Sequence, residues 1–224
     1  MRLQHVRHLL AGVATVLPGM SGATFLFAPV AVVRETAGDI LSTAERARIA
    51  AFRQPTERSR RAAAHTLKRL MLARLLGVEP ACVPCGGGGA GPPVVVGRSD
   101  IAVTLTHSGG WVGAGVGLCG SIGIDVELKE GAVPWPTLPD PMRRSDAGEV
   151  PAMNIADWCR LEARVKQAGG WHDLRSCVEV ESLDLDTDHV AAVATPSGIA
   201  ARIVIAAPLD CERNYRCSRP GTDG

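Results

Sequence analysis

Residues 101–128 read IAVTLTHSGGWVGAGVGLCGSIGIDVEL, a stretch in which apolar side chains alternate with small or polar ones. Alternation with a period of two is typical of β-strands that bury one face. Segments 106–110 and 119–121 contain glycine and interrupt the alternation, so they predict turns. The stretch therefore predicts a meander of three strands, the last of which contains residues 123–127, Gly-Ile-Asp-Val-Glu.

This last strand carries two acids. Residues two apart in a strand point to the same face, so Asp125 and Glu127 lie side by side. Neighbouring carboxylates repel unless they are solvated, one is protonated, or a cation lies between them. Two interpretations stay open at this point. The pair is either a solvated edge of a sheet or a set of oxygen ligands for a divalent metal such as magnesium or manganese.

Upstream of the strands, the sequence predicts two helices. Ser42 or Thr43 can cap the first, which we expect to extend to about Phe52. Pro55 then interrupts the pattern. We expect a longer helix to begin at about Thr56 and to end at Gly77, because glycine is common after the last helical residue.

These two helices are strongly basic. Nine Lys or Arg residues fall between Arg46 and Arg74, against a single acid, Glu57. Such a run is either a solvated helix face or a ridge that binds phosphate, and charge alone does not separate the two.

Downstream, Asn154 can cap a helix that ends at Gly169. Trp158, Glu162 and Lys166 are spaced i, i+4, i+8 and so lie close to one helix face. On its own, the Glu162–Lys166 pair is an ordinary i, i+4 ion pair. A buried first strand is expected at about residues 24–33, and further strands at residues 178–185, 190–195 and 203–206.

Bulk composition narrows the classes of function. The net charge of +1 gives no general affinity for polyanions, so we expect no nucleic-acid partner. No apolar run reaches the roughly 18 residues of a membrane span, so we expect no membrane partner. Seven cysteines, an odd number, fit a reducing cytoplasm. Cys82 and Cys85 have zinc-knuckle spacing without a second ligand pair, and a turn beside a glycine-rich loop is the alternative.

Three motifs in order carry a family resemblance. They are Thr-His-Ser-Gly-Gly-Trp at 106–111, Gly-Ile-Asp-Val-Glu at 123–127, and Trp-Cys-Arg-Leu-Glu-Ala-Arg-Val-Lys at 158–166. In sequence and spacing they resemble the 4′-phosphopantetheinyl transferases of the surfactin-synthetase-activating type. The resemblance covers about residues 42–170. Its upstream part rests on matches in the basic helical segment, at Glu45, Arg46, Arg48, Phe52, Arg60 and Arg69.

The resemblance implies an enzyme that moves the phosphopantetheine arm of coenzyme A onto a serine of an apo acyl or peptidyl carrier protein. Adenosine 3′,5′-bisphosphate would leave. Asp125, Glu127 and Glu162 would hold Mg²⁺, or Mn²⁺, and Glu162 would take the proton of the serine. Lys166 would stabilise the departing phosphate. Rival interpretations are a non-catalytic relative that binds coenzyme A or a carrier protein, and an unrelated metal-dependent phosphohydrolase.

The same resemblance assigns the binding of coenzyme A phosphates. His107, which is also expected to act in catalysis, would contact them together with Thr106, Arg48, Arg60 and Lys166. One departure from the family pattern concerns this function. Pro92 stands where the family usually has Lys or Arg, so one coenzyme A contact would be absent unless Arg98 substitutes for it.

The resemblance also implies the architecture, an α+β fold of two pseudo-symmetric halves that acts as a monomer. The first half would span residues 22–122 and the second residues 123–208. Residues 1–21 would form an N-terminal extension of undetermined role, and residues 209–224 a flexible tail. Coenzyme A would lie between the halves.

Overall fold

The computed structural model describes residues 22–36, 40–86, 93–131, 153–171, 174 and 177–206. It is a mixed structure with 35% helix and 34% strand, which agrees with the predicted α+β class. The extensions predicted at residues 1–21 and 209–224 lie outside the described residues, as does Pro92. Within the described part, no helix is both long enough and apolar enough to cross a membrane.

Four α-helices and nine strands make up the described chain. The helices are α1 (Val30–Thr36), α2 (Thr43–Ala50), α3 (Pro55–Leu76) and α4 (Ile155–Ala168), and a 3₁₀ turn spans Pro80–Cys82. The strands are β1 (Ala23–Pro29), β2 (Cys85–Gly86), β3 (Val94–Val95), β4 (Ala102–Ser108), β5 (Trp111–Gly117), β6 (Gly123–Leu128), β7 (Val178–Asp184), β8 (His189–Pro196) and β9 (Ala201–Ile205).

The long strands form two sheets, with orders β4-β5-β1-β9 and β6-β8-β7. The meander prediction is therefore correct for the β4–β5 hairpin and wrong for β6, which pairs with β8 instead of β5. Alternation along a strand shows which face is buried but does not identify the neighbouring strand. Strand β9, which the predicted division assigns to the second half, pairs in parallel with β1 of the first sheet.

Glycines in β5 allow the sheets to pack closely. A Cβ on Gly115 would lie 2.7 Å from the Phe25 ring, and one on Gly113 would lie 2.8 Å from Ile124 Cδ1 in β6. Phe25 and Ile124 are fully buried. The glycine face of β5 thus makes room for the side chains that join the two sheets.

The helix predictions hold to within a few residues. Ser42 accepts from the backbone N–H of Glu45, and the Glu45 side chain accepts from the N–H of Ser42, which forms a capping box. Gly77 adopts a left-handed conformation, φ 68°, at the end of α3. Asn154 caps α4.

One boundary differs from the prediction. The first strand, expected to run from about residue 24 to Val33, ends at Pro29, and Val30 begins helix α1. The apolar run is continuous across this point, so periodicity cannot locate the change from strand to helix.

Candidate active site

An open cleft of about 280 Å³ lies where residues of the two sheets and of two helices meet. Helix α3 and strand β4 contribute one wall, and β6 and α4 contribute the other. The lining residues are Arg61, Ala64, His65, Leu105, Thr106, His107, Asp125, Glu127, Glu162 and Lys166. Six of the eight predicted site residues are in this set.

Asp125 lies at the bottom of the acidic side, with only 2% of its surface exposed. Its Oδ1 accepts hydrogen bonds from Thr106 Oγ1 at 3.0 Å and from Lys166 Nζ at 2.6 Å. Its Oδ2 is buried and has no partner among the described residues. The interpretation of residues 123–127 as a solvated edge is therefore wrong for Asp125, and the carboxylate keeps one unused acceptor.

Glu127 lies beside Asp125 and is half-buried. Ser108 Oγ donates to its Oε2 at 3.1 Å. Burial, together with the charges of Asp125 and Glu162, raises the pKa of Glu127 to about 7, although the bond from Ser108 opposes this. At neutral pH, the metal-free protein therefore holds this carboxyl as a mixture of its protonated and ionised forms.

Helix α4 approaches β6 closely enough to add a third acid. A Cβ on Gly123 would lie 1.8 Å from the carbonyl oxygen of Ala163, so only glycine permits this approach. Glu162 thereby joins Asp125 and Glu127, and ligand oxygens of all three lie within 4.8 Å of one another. Burial raises the pKa of Glu162, and the nearby charge of Asp125 adds to the effect while Lys166 opposes it.

Lys166 is the cation of this group. Its Nζ lies 2.6 Å from Asp125 Oδ1 and 3.4 Å from Glu162 Oε2. Burial lowers the pKa of Lys166, but the two carboxylates outweigh burial and raise it overall. Lys166 is therefore charged at neutral pH, and three carboxyl groups share one fixed cation.

The acidic trio could hold a metal ion. Three carboxylates provide hard oxygen ligands. The unused Oδ2 of Asp125 is buried, and such an acceptor is costly unless something donates to it or coordinates it. Burial, with the charge of Asp125 adding to it, raises the pKa values of Glu127 and Glu162, and a bound cation would oppose that effect. The residues present therefore fit a divalent cation.

The opposite side of the cleft is basic. Arg61, His65 and His107 line it. His107 was expected in a turn but belongs to β4, and the turn begins only at Gly109. Burial is the main cause that lowers the pKa of His107, with Arg61 adding to it and Glu57 opposing it. His107 is thus neutral at pH 7, so one ring nitrogen can donate a hydrogen bond and the other can accept one.

Two predicted phosphate-binding residues lie off this lining. Arg60 Nη2 is 3.2 Å from Glu57 Oε2, and Arg60 Nε is buried without an acceptor among the described residues. Arg48 is exposed on α2 and is not among the residues that line the cleft. Thr106 does line it, but its hydroxyl donates to Asp125 and accepts from the Val126 N–H at 3.1 Å.

The basic ridge is only partly a surface feature. Lys68 and Arg69 are both 2% exposed and contact Glu45, through Lys68 Nζ–Oε1 and Arg69 Nε–Oε2 distances of 2.6 Å. Arg69 also donates to the carbonyl oxygens of Pro80, Ala81 and Val83. For these two residues, neither a solvated face nor a phosphate-binding ridge is correct, because both are internal ion-pair partners.

Arg61 and His65 are cleft residues that the motifs did not single out. They are four residues apart on α3 and share the face that carries Ala64. Helical periodicity contains this information, but only once one residue of that face is known to reach the cleft.

Comparisons with known proteins add no family assignment to this geometry. No protein-family model matches the chain, and no curated protein is significantly similar to it. Function is therefore inferred from the cleft together with the resemblance carried by the three motifs.

Proposed function

We propose that this chain is a 4′-phosphopantetheinyl transferase. It moves the phosphopantetheine arm of coenzyme A onto a serine of an apo acyl or peptidyl carrier protein, with Mg²⁺ as the metal. In the balanced reaction, the serine Oγ forms a bond to the β-phosphorus of the pyrophosphate. The bond from that phosphorus to the bridging oxygen breaks, and adenosine 3′,5′-bisphosphate leaves. The carrier and coenzyme A are the only partners, and the chain acts as a monomer.

One observation carries the proposal. The cleft has an acidic side, formed by Asp125, Glu127 and Glu162, and a basic side that includes Arg61 and His107. A substrate that suits both sides is a phosphate whose charge is shared between a divalent cation and basic side chains. Coenzyme A presents such groups in its pyrophosphate and its 3′-phosphate.

The three acids would hold Mg²⁺, and the ion would neutralise charge on the phosphoryl oxygens when bound. Asp125 is oriented for this by Thr106, which fixes Oδ1 and leaves Oδ2 free. Ser108 orients Glu127 in the same way. Hydroxyl groups of β4 therefore position the acids of β6.

Glu162 is the residue suited to take the proton of the carrier serine. Its raised pKa makes it a stronger base than an ordinary carboxylate, and it is less buried than Asp125. Lys166 remains charged beside it and stabilises negative charge on the leaving bisphosphate. His107 and Arg61 bind the substrate phosphates from the opposite wall.

Intact-mass spectrometry of apo carrier proteins tests the proposal. Carriers from peptide and polyketide synthetases are incubated with the protein, coenzyme A and Mg²⁺, and a mass gain of one phosphopantetheine group is expected. Lys129→Gln provides a control, since Lys129 pairs with Asp184 outside the cleft.

Three outcomes separate the interpretations. Modified carrier supports the transferase. Coenzyme A binding with no modification of any carrier supports a non-catalytic relative. Phosphate release from coenzyme A without modified carrier supports a phosphohydrolase, and either of the last two outcomes overturns the proposal.

A further inference from the structure

One carboxylate lies among the basic groups of the cleft. Glu57 Oε1 is 2.6 Å from Arg61 Nε and 3.8 Å from His107 Nε2, while Oε2 is 3.2 Å from Arg60 Nη2. The Glu57 side chain is 19% exposed, so water screens these contacts only in part. Glu57 therefore lies against Arg61 and His107, two residues that line the cleft.

Helix stabilisation alone would explain an acid at this position. Glu57 lies in the first turn of α3, where negative charge is favourable, with Arg60 and Arg61 at i+3 and i+4. Asp157 has the same arrangement in α4 and lies 2.6 Å from Arg160.

The arginines paired with these two acids differ in their surroundings. Arg160 continues from Asp157 to Ser182 Oγ at 2.7 Å, and neither arginine nor serine lines the cleft. Arg61, in contrast, lines the cleft, as does His107. Glu57 thus contacts residues of the cleft in which a substrate would bind. Stabilisation of the helix does not require such contacts.

We propose that Glu57 is a specificity-determining residue, an internal counter-anion that a ligand phosphate must displace from Arg61 and His107. The inference rests on the proposed function in one respect, since it takes the basic wall of the cleft to bind phosphate.

Because a ligand must displace the Glu57 carboxylate, the negative charge of the ligand decides whether it binds. A monoanion that replaces the Glu57 carboxylate exchanges one negative charge for another and gains nothing in Coulomb energy. A phosphomonoester carries nearly two charges and gains from the exchange. Glu57 consequently excludes carboxylates and other monoanions and admits a terminal phosphomonoester.

Calorimetric titration with adenosine 3′,5′-bisphosphate in the presence of Mg²⁺ tests this. Removal of the competing charge in Glu57→Gln should tighten binding about three- to tenfold, the range expected for a partly exposed ion pair. The matched control Asp157→Asn should bind as the wild type does. Adenosine, which lacks phosphate, should respond to neither substitution.

A second titration uses acetate as competitor. Acetate should weaken bisphosphate binding to Glu57→Gln and leave the wild type unaffected. Glu57→Asp, which keeps the charge but withdraws it from His107, should give a smaller gain in affinity and serves if the glutamine variant does not fold.

The results distinguish this inference from the proposed function. Equal or weaker binding by folded Glu57 variants overturns the inference, since Glu57 would then orient the arginines for the ligand. Failure of the wild type and the variants to bind the bisphosphate overturns it as well. Tighter binding by Glu57→Gln in a protein that modifies no carrier sustains the inference while the transferase proposal fails.

Discussion

Two clusters of charged side chains in the described part of the molecule differ in whether every carboxylate oxygen has a partner. In the buried cluster, the Glu45 carboxylate accepts from Lys68, Arg69 and the Ser42 N–H, and every one of its oxygens has a partner. In the cleft cluster, three carboxyl groups share Lys166, and Asp125 Oδ2 has no partner in the described part of the chain.

The pKa values express the same contrast. Burial alone would raise the pKa of Glu45, but hydrogen bonds from His65, Lys68 and Ser42 outweigh it and lower the value well below its ordinary range. Burial and neighbouring acids raise the pKa of Glu127 to about 7. A satisfied cluster holds its charge and stabilises the fold, whereas an unsatisfied one has a place for a ligand.

We expect the largest effect from a substitution that disrupts the buried cluster around Glu45. Glu45→Ala leaves the buried Lys68 and Arg69 without a counter-charge, and loss of one partner from a buried ion pair costs about 3–5 kcal/mol. Urea denaturation followed by circular dichroism should show this as a lower midpoint. The exposed substitution Glu79→Ala, beyond the C-terminal end of α3, is the control and should change the midpoint little.

Asp125→Asn tests the cleft cluster and should separate function from stability. Removal of one of three crowded carboxylates lowers their repulsion, so the free energy of unfolding should be unchanged or higher. Carrier modification should fall about a hundred- to a thousandfold, or about 3–4 kcal/mol in the activation barrier. A variant that retains full turnover would remove Asp125 from the metal site.

The sequence predicts local features well because their causes are local. The capping box at Ser42 and Glu45 involves residues three apart, and the left-handed Gly77 follows from its own missing side chain. Asp125 and Glu127 on one strand, and Glu162 with Lys166 on one helix, are equally visible in periodicity.

What the sequence does not reveal depends on distant pairing. Glu45 is recognisable as a capping residue, but its contacts with Lys68 and Arg69 cross 23 and 24 positions of the chain. The burial of Asp125 depends on β4 and α4 covering β6, which alternation within β6 cannot show. The three motifs predicted that the acids lie together, because a resemblance to a family includes information about residues that are distant in sequence.

The pH dependence of stability sharpens the contrast between Glu45 and Glu127. Since the folded pKa of Glu127 is raised, its contribution to stability is full below its ordinary pKa of 4.5 and is lost as pH rises through about 7. The metal-free protein should therefore lose up to about 3 kcal/mol between these values through this group. Glu45 behaves in the reverse sense, because its lowered pKa gives stability above 4.5 that acid removes.

Thermal unfolding across this pH range, without metal and with Mg²⁺, measures the effect. Glu127→Gln should flatten the decline in the metal-free protein. Mg²⁺ should raise the melting temperature most above pH 7, where the carboxylate is free to coordinate. An equal Mg²⁺ effect at pH 5 and pH 8 would contradict a metal site that includes Glu127.

The smallest expected effect comes from the hydroxyl that supports the cluster. Thr106→Val keeps the shape of the side chain but removes the bond that orients Asp125 and the acceptor for the Val126 N–H. Loss of such a supporting group typically costs 10- to 100-fold in metal affinity, about 1.4–2.7 kcal/mol. Competition with a fluorescent chelator for Mn²⁺ would measure it, with Thr104→Val on the same strand as control. If Thr106→Val lowers stability and leaves metal affinity unchanged, Thr106 belongs with the satisfied buried groups and not with the cleft.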